Sequence, residues 1–408
     1  MKIFNNKKLI KKILITIGIL MLYVAGKNIK APGFDGTIID IYGSSYLSML
    51  TLMGGGFIEQ MSIFALGVGP FINASIVIQL LSMDVIPSLS KLKDDGKKGQ
   101  KKIEYITFCS GLVIAIIQGY FLGRSLNSYL LNQTVIGYLF VSAIVTVGSA
   151  IAYGLGKVID KWGIGSGMSM IIFANIISNL PHTFRNMFNT LGIIWFIVFV
   201  LAYIAIMVAV IFVQTAERRI PVQYSRSYNT TKGKFNHIPL KINSASVMPV
   251  IFASSMIQAP QIIVSWINYN TYQSMSSSLN MANWYMIPIY GLLIIAFDFI
   301  YTSMILNPKE IASNLAKNSG FIPSIRQGKE TENYLKKVIN SITSLGAVLI
   351  MLLALMPYIL GVITGYNVSL GGTGIIIVVG VAMDFVAAIK SENTATKYSS
   401  LIGGHKLW

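Results

Sequence analysis

Ten apolar stretches divide this chain, and the basic residues between them are distributed so unevenly that the distribution itself fixes a topology. The stretches run at roughly 13–26, 62–83, 105–123, 134–155, 167–184, 191–214, 247–266, 286–306, 338–360 and 371–389. Of the 32 lysines and arginines, the odd-numbered connections hold only Lys27, Lys30, Arg124 and Arg185; all the others lie at the two termini and in the even-numbered connections. Short loops rich in Lys and Arg stay on the cytoplasmic side of a membrane, so both termini are expected in the cytoplasm. A helix crossing the hydrocarbon core needs about 20 mostly apolar residues, and 408 residues of which 54% are hydrophobic and 12% charged supply ten of them. The expectation is an all-α membrane protein, multi-pass, in a cytoplasmic membrane.

The net charge of +17 lies in loops beside the membrane, where anionic lipid or a cytosolic partner competes for it; no direct nucleic-acid role is expected. The one cysteine, Cys109, excludes an internal disulfide and a cysteine metal cluster, and within an apolar stretch it reads as a buried structural thiol. Lys7, Lys8, Lys11 and Lys12 ahead of an apolar run ending at Ala25 and Gly26 imitate a secretory signal. A retained first span is the reading that keeps the charge pattern, since its removal leaves nine spans and moves one terminus across the membrane.

Division near Asn189 gives an N-terminal half, 1–188, and a C-terminal half, 189–408, of five spans each. An odd number per half inverts the second relative to the first, the arithmetic of an inverted repeat, which is common among transport proteins. Residues 41–53 form an apolar piece too short to span, followed by Gly54, Gly55 and Gly56; a short re-entrant helix is tolerated where it is buried in protein or faces a water-filled cavity. The connections 215–246 and 307–337 are each about thirty residues long and hold six basic residues. They read as topology signals or as docking surfaces. Arg218, Arg219 and Arg326 favour docking, because the planar guanidinium suits carboxylates on a protein partner.

Several stretches resemble the SecY family of protein-conducting channels. They are Gly54–Gly67 with Pro70–Ser75, Gly163–Ser169 with Ile171–Ala174, Arg218–Tyr224 with Pro239–Asn243 and Pro249–Ser255, Asn307–Ala312 with Gly320–Arg326, and Gly371–Thr373 with Val379–Asp384. They follow the family's order over nearly the whole chain. The resemblance implies ten transmembrane helices as two inverted five-helix halves with a short re-entrant plug helix at about 41–59, hinged at Gly54, Gly55 and Gly56. It implies an apolar pore ring of Val68, Ile72, Ile172, Ile176, Ile251 and Ile377, a type of constriction that excludes water and ions. The first two pairs are spaced i, i+4, which places both members on one helix face. Glu59, a carboxylate near a low-dielectric region, fits a wet vestibule.

The resemblance further makes spans two and seven a lateral gate, with Asn73, Gln118, Ser254 and Ser255 as polar residues able to hydrogen-bond across the seam or within ordinary helix pairs. Arg218, Arg219 and Arg326 fall in the loops that dock the ribosome or a SecA-type motor ATPase. SecE-like and SecG-like small membrane subunits or accessory secretory proteins are implied partners, with membrane lipid and a preprotein substrate. The sequence departs from the family's usual glycine at Asn175, Ser246 and Ser324 and from its proline at Gln327. These changes resemble the accessory SecY paralogue of some Gram-positive bacteria, which exports serine-rich glycosylated adhesins; the housekeeping channel for general preproteins is the alternative.

Two other classes compete. A secondary transporter couples ions through ionisable groups at the midplane, and Asp298 and Asp384 are the acidic residues well inside predicted spans; both read as locally paired or near the interface. A membrane enzyme finds no support, because His182, His237 and His405 have no metal-ligand spacing and no nucleophile–base pair is visible. Gly163–Gly167 lacks the lysine and preceding strand of a phosphate loop, so no cofactor is expected and the energy for transport must come from a partner.

Overall fold

The computed structural model describes residues 7–33, 62–82, 86–127, 130–224, 236–267, 283–364 and 372–401. The helices are α1 (Lys7–Ala25), α2 (Gly69–Leu81), α3 (Pro87–Asp94), α4 (Gly96–Ser125), α5 (Val135–Trp162), α6 (Gly167–Thr215), α7 (Met248–Ile267), α8 (Met286–Ile305), α9 (Pro308–Lys317), α10 (Lys329–Thr364) and α11 (Gly372–Leu401). Three strands join them: β1 (Glu217–Tyr224), β2 (Asn236–Lys241) and β3 (Gly320–Phe321). Each of the ten apolar stretches coincides with one of these helices once α6 is divided at Gly192, whose φ of 74° and ψ of 167° break the helix. Six of the helices are long and apolar enough to cross a membrane, and Gly69–Leu81, Gly167–Pro181 and Met248–Ile257 are shorter apolar helices. The plug and its hinge, Gly54, Gly55 and Gly56, lie outside the described residues.

The chain forms two compact units: Met1–Phe196 with Ile257–Asn280 and Val381–Trp408, and Ile197–Met256 with Met281–Gly380. In the first, α4 packs between α2 and α5. The close approach is made by glycine: a Cβ at Gly111 would stand 2.3 Å from the Phe71 ring, and one at Gly148 would stand 2.1 Å from the carbonyl oxygen of Ile63. An ion pair ties Lys12 of α1 to Glu392 of α11. Buried Thr16 accepts the Ile164 N–H at 3.0 Å, which fixes α1 to the turn ahead of α6.

Two expectations are corrected in this unit. The second span does not begin as a helix at Ser62: Ser62–Val68 is a run of turns, and helix starts at Gly69 with Pro70 in its first turn. The turns are held from outside. Ser62 Oγ donates to the Gly26 carbonyl at 3.0 Å, Ile63 N–H to Ile29 at 3.1 Å, and Ser149 Oγ to the Gly67 carbonyl at 2.6 Å. Second, Cys109 is exposed and not buried, because it occupies the outer face of α4 while Ala115, Gln118 and Leu122 face the interior.

The second unit contains structure that the sequence reading treated as loop. The sixth and eighth connections combine in a three-stranded antiparallel sheet of order β2-β1-β3, with Ile220 opposite Ile238 and Gln223 opposite Phe321. Ile220, Val222 and Leu240 on its inner face share an apolar core with Ala312 and Leu315 of α9, Ile322, and Leu335, Val338, Ile339 and Ile342 of α10. Asn307 starts α9 by accepting the Lys309 N–H, ahead of Pro308. Prolines stand opposite Arg219 and His237, at Pro239 and Pro221. Having no N–H, they blunt the open edges of the hairpin against further strand pairing.

Candidate functional site

The residues expected to form the ring are buried, apart from half-buried Ile176, which separates them from neighbours that face outward. Val68, Ile72 and Ile172 are 1%, 9% and 5% exposed in the first unit, and Ile251 and Ile377 are 3% and 8% exposed in the second. Ile176 is half-buried. On the same helices Val77 and Ile177 are 49% and 41% exposed, so the apolar surface has two distinct faces. Val68 caps α2 and is not in it, yet its carbonyl accepts the Ile72 N–H at 3.1 Å, so the i, i+4 relation holds. Four of the residues expected to form the ring lie in the first unit and two in the second, all but Val68 on a helix.

Of the polar candidates for the gate, Ser254 Oγ donates back to the Ile251 carbonyl at 2.7 Å, while Asn73 Oδ1, Gln118 Oε1 and Ser255 Oγ have no hydrogen-bond partner among the described residues. Gln118 is 1% exposed, and an unpaired buried amide oxygen is costly. Asp298, expected to be locally paired or near the interface, is buried on α8, and its Oδ1 has no hydrogen-bond partner among the described residues. Asp384 is exposed.

Of the three docking arginines, Arg219 is engaged within its own strand, its Nε donating to Glu217 Oε1 at 2.8 Å. Arg218 and Arg326 are exposed, and their guanidinium groups make no side-chain bond among the described residues. Arg326 lies in a shaped turn. Thr331 Oγ1 donates to its carbonyl at 2.8 Å, the Ile325 N–H donates to Ile322 at 3.1 Å, and Gln327 Nε2 donates to the Gly320 carbonyl at 3.2 Å. Two serines that stand for glycine in the resemblance occupy left-handed backbone, Ser246 at φ 55° and Ser324 at φ 67°. The third such position, Asn175, is fully buried, near Tyr23 of α1. The sheet that carries Arg218 had a sequence signal, in the in-out alternation of Ile220 and Val222.

The SecY family profile matches residues 62–386. The chain belongs to the SecY family. It is 34% identical over 430 residues to the protein translocase subunit SecY of Halalkalibacterium halodurans, covering 98% of both chains. The SecY subunits of Staphylococcus epidermidis and Mycoplasma pneumoniae are 31% and 34% identical, over 98% of this chain in each case and 98% and 89% of theirs. The SecY fold is shown independently. A solved protein-conducting channel superposes with a TM-score of 0.70 at 17% identity, over 94% of this chain and 93% of that one. Sec61 in the canine ribosome–channel complex superposes at 0.66, also at 17% identity and over 94% and 93%. The ten-helix, multi-pass architecture is therefore that of SecY.

Proposed function

We propose that this SecY-family translocase subunit forms a polypeptide-conducting pore sealed by Val68, Ile72, Ile172, Ile176, Ile251 and Ile377, and that a SecA-type motor docked on Arg218 and Arg326 supplies the energy. The observation that carries the reading is the burial of these aliphatic residues on helices whose other faces are exposed and apolar. A chain of any sequence must pass while ions are blocked, and a deformable apolar constriction that excludes water does both. Asn73, Gln118, Ser254 and Ser255 are assigned to the lateral gate and Gly54–Gly56 to the plug hinge. The N- and C-terminal halves meet near Asn189, both termini face the cytoplasm, and SecE-like and SecG-like subunits or accessory secretory proteins complete the complex.

Within that function we propose a dedicated role in exporting serine-rich glycosylated surface adhesins. It is supported by the departures at Asn175, Ser246, Ser324 and Gln327, the last of which makes a side-chain hydrogen bond that proline would not provide. A general preprotein channel is favoured instead by the relatives above, all named as SecY subunits. Membrane vesicles carrying this chain, its motor and two labelled substrates, an adhesin and a general preprotein, separate the two. Protease-protected adhesin alone supports the dedicated role, and protection of both supports the general one. No protection of either, with the motor bound, overturns the channel.

A further inference from the structure

The cytoplasmic end of α5 carries Tyr153, Lys157 and Asp160 at i, i+4 and i+7, on one face of the helix. Opposite them α4 presents Glu104 and Phe108, also one turn apart. Lys157 is half-buried at the centre of the group. Its Nζ lies 3.2 Å from Glu104 Oε1, 4.0 Å from Asp160 Oδ2 and 5.6 Å from the Tyr153 ring centroid.

Two branches leave this cation, and each ends on a helix that bears ring residues. Asp160 Oδ1 accepts the Gly167 N–H at 2.7 Å. Gly167 opens α6, so the carboxylate caps the helix that carries Ile172 and Ile176, in the position where a negative charge suits the helix dipole. Tyr153 stacks on Phe71 with centroids 4.5 Å apart, and Phe108 closes the cluster at 5.7 Å from Phe71 and 5.5 Å from Tyr153. Phe71 is fully buried beside Ile72 on α2 and is pressed against Gly111, so a displacement of Tyr153 passes to α2 without slack.

We infer that Lys157 is a positioning residue for the constriction, holding α2 and α6 in register by tying Asp160, Glu104 and Tyr153 to one charge. An isolated exposed ion pair would contribute little. Here one ammonium is shared by a helix cap and an aromatic stack, and its loss leaves the carboxylates of Glu104 and Asp160 uncompensated on one surface. The inference rests on the pore reading given above.

The test is ion leak through substrate-free channels in proteoliposomes, with crosslinking of Ile72→Cys and Ile176→Cys to a stalled export substrate measured in parallel. Lys157→Met and Glu104→Gln are each expected to raise the leak at least threefold, while Lys157→Arg, which keeps the cation, stays within twofold of the starting protein. Wild-type leak in both Lys157→Met and Glu104→Gln overturns the inference. A leak in Lys157→Arg as large as that in Lys157→Met overturns it as well, because the charge is then not what seals the channel. Should Lys157→Met fail to assemble, Glu104→Gln and Lys157→Arg decide alone. Absence of crosslinks in the protein with native Lys157 defeats the pore reading instead, whatever the leak shows.

Discussion

Alanine at Gly148 and alanine at Gly154 are the same chemical change on the same helix, and the structure gives them opposite signs. Both gain about 0.5–1 kcal/mol, because alanine loses less backbone entropy in a helix than glycine. At Gly154 nothing lies within 4 Å of the added Cβ, so that gain stands alone. At Gly148 the new atom meets the Ile63 carbonyl oxygen at 2.1 Å and its carbon and Cγ2 at 2.7 Å, and real Cβ atoms do not approach so closely. Ile63 has little freedom to retreat, since its N–H is bonded to Ile29 and the flanking turns are held through Ser62 and Gly67. Overpacking of this kind costs about 1–3 kcal/mol, which exceeds the propensity gain. The two variants should therefore differ by about 1–3 kcal/mol, or roughly 2–6 °C in unfolding midpoint at ~2 °C per kcal/mol. Detergent-purified proteins heated at one fixed rate give the comparison, the rate being held because such unfolding is irreversible. Equal midpoints, or a Gly148→Ala protein more stable than the parent, would refute the packing described for Ser62–Val68.

Arg218→Ala and Arg326→Ala should each weaken motor binding about tenfold, the effect of a moderate interface hot spot, while Arg219→Ala, whose fork is already taken by Glu217, should change it little; binding titrations with the reverse order would contradict the docking assignment. Ser246→Gly and Ser324→Gly should each raise stability by about 0.5–1 kcal/mol, since glycine releases the left-handed strain but costs more entropy on folding, and a lower midpoint in either would argue against the strain. Cys109→Ala should leave stability within about 0.5 kcal/mol, as for other exposed positions, and a larger loss in the same thermal scan would restore the buried thiol.

Much of the fold was legible because membrane spans are written in composition: hydrophobic runs set the ten helices. Contact geometry was less visible. Ser62–Val68 is as apolar as the helix after it, so hydropathy alone does not separate turns from helix there; what holds the turns is a set of bonds to Gly26, Ile29 and Ser149, distant in sequence. Cys109 was misread because α4 is apolar on every side, and only packing distinguishes its lipid face from the face of Ala115 and Gln118. The strand alternation of Ile220, Val222, Ile238 and Leu240 was present in the sequence but short, and its burial depends on α9 and α10. At the candidate site the aliphatic identity of the ring came with the family resemblance. The tie between Lys157, Asp160 and Tyr153 follows from helical spacing together with Glu104 and Phe108 on α4, a combination that no single segment displays.

The central claim, a polypeptide pore lined by the buried aliphatic residues, is tested most directly by crosslinking a stalled export substrate to single cysteines placed at Ile72, Ile176 and Ile251 in a Cys109→Ala background. Crosslinks from all three that depend on the motor, with none from cysteines at outward-facing Val77 and Ile177, are the expected result. Crosslinks from Val77 and Ile177 instead, or from no position at all, would contradict it.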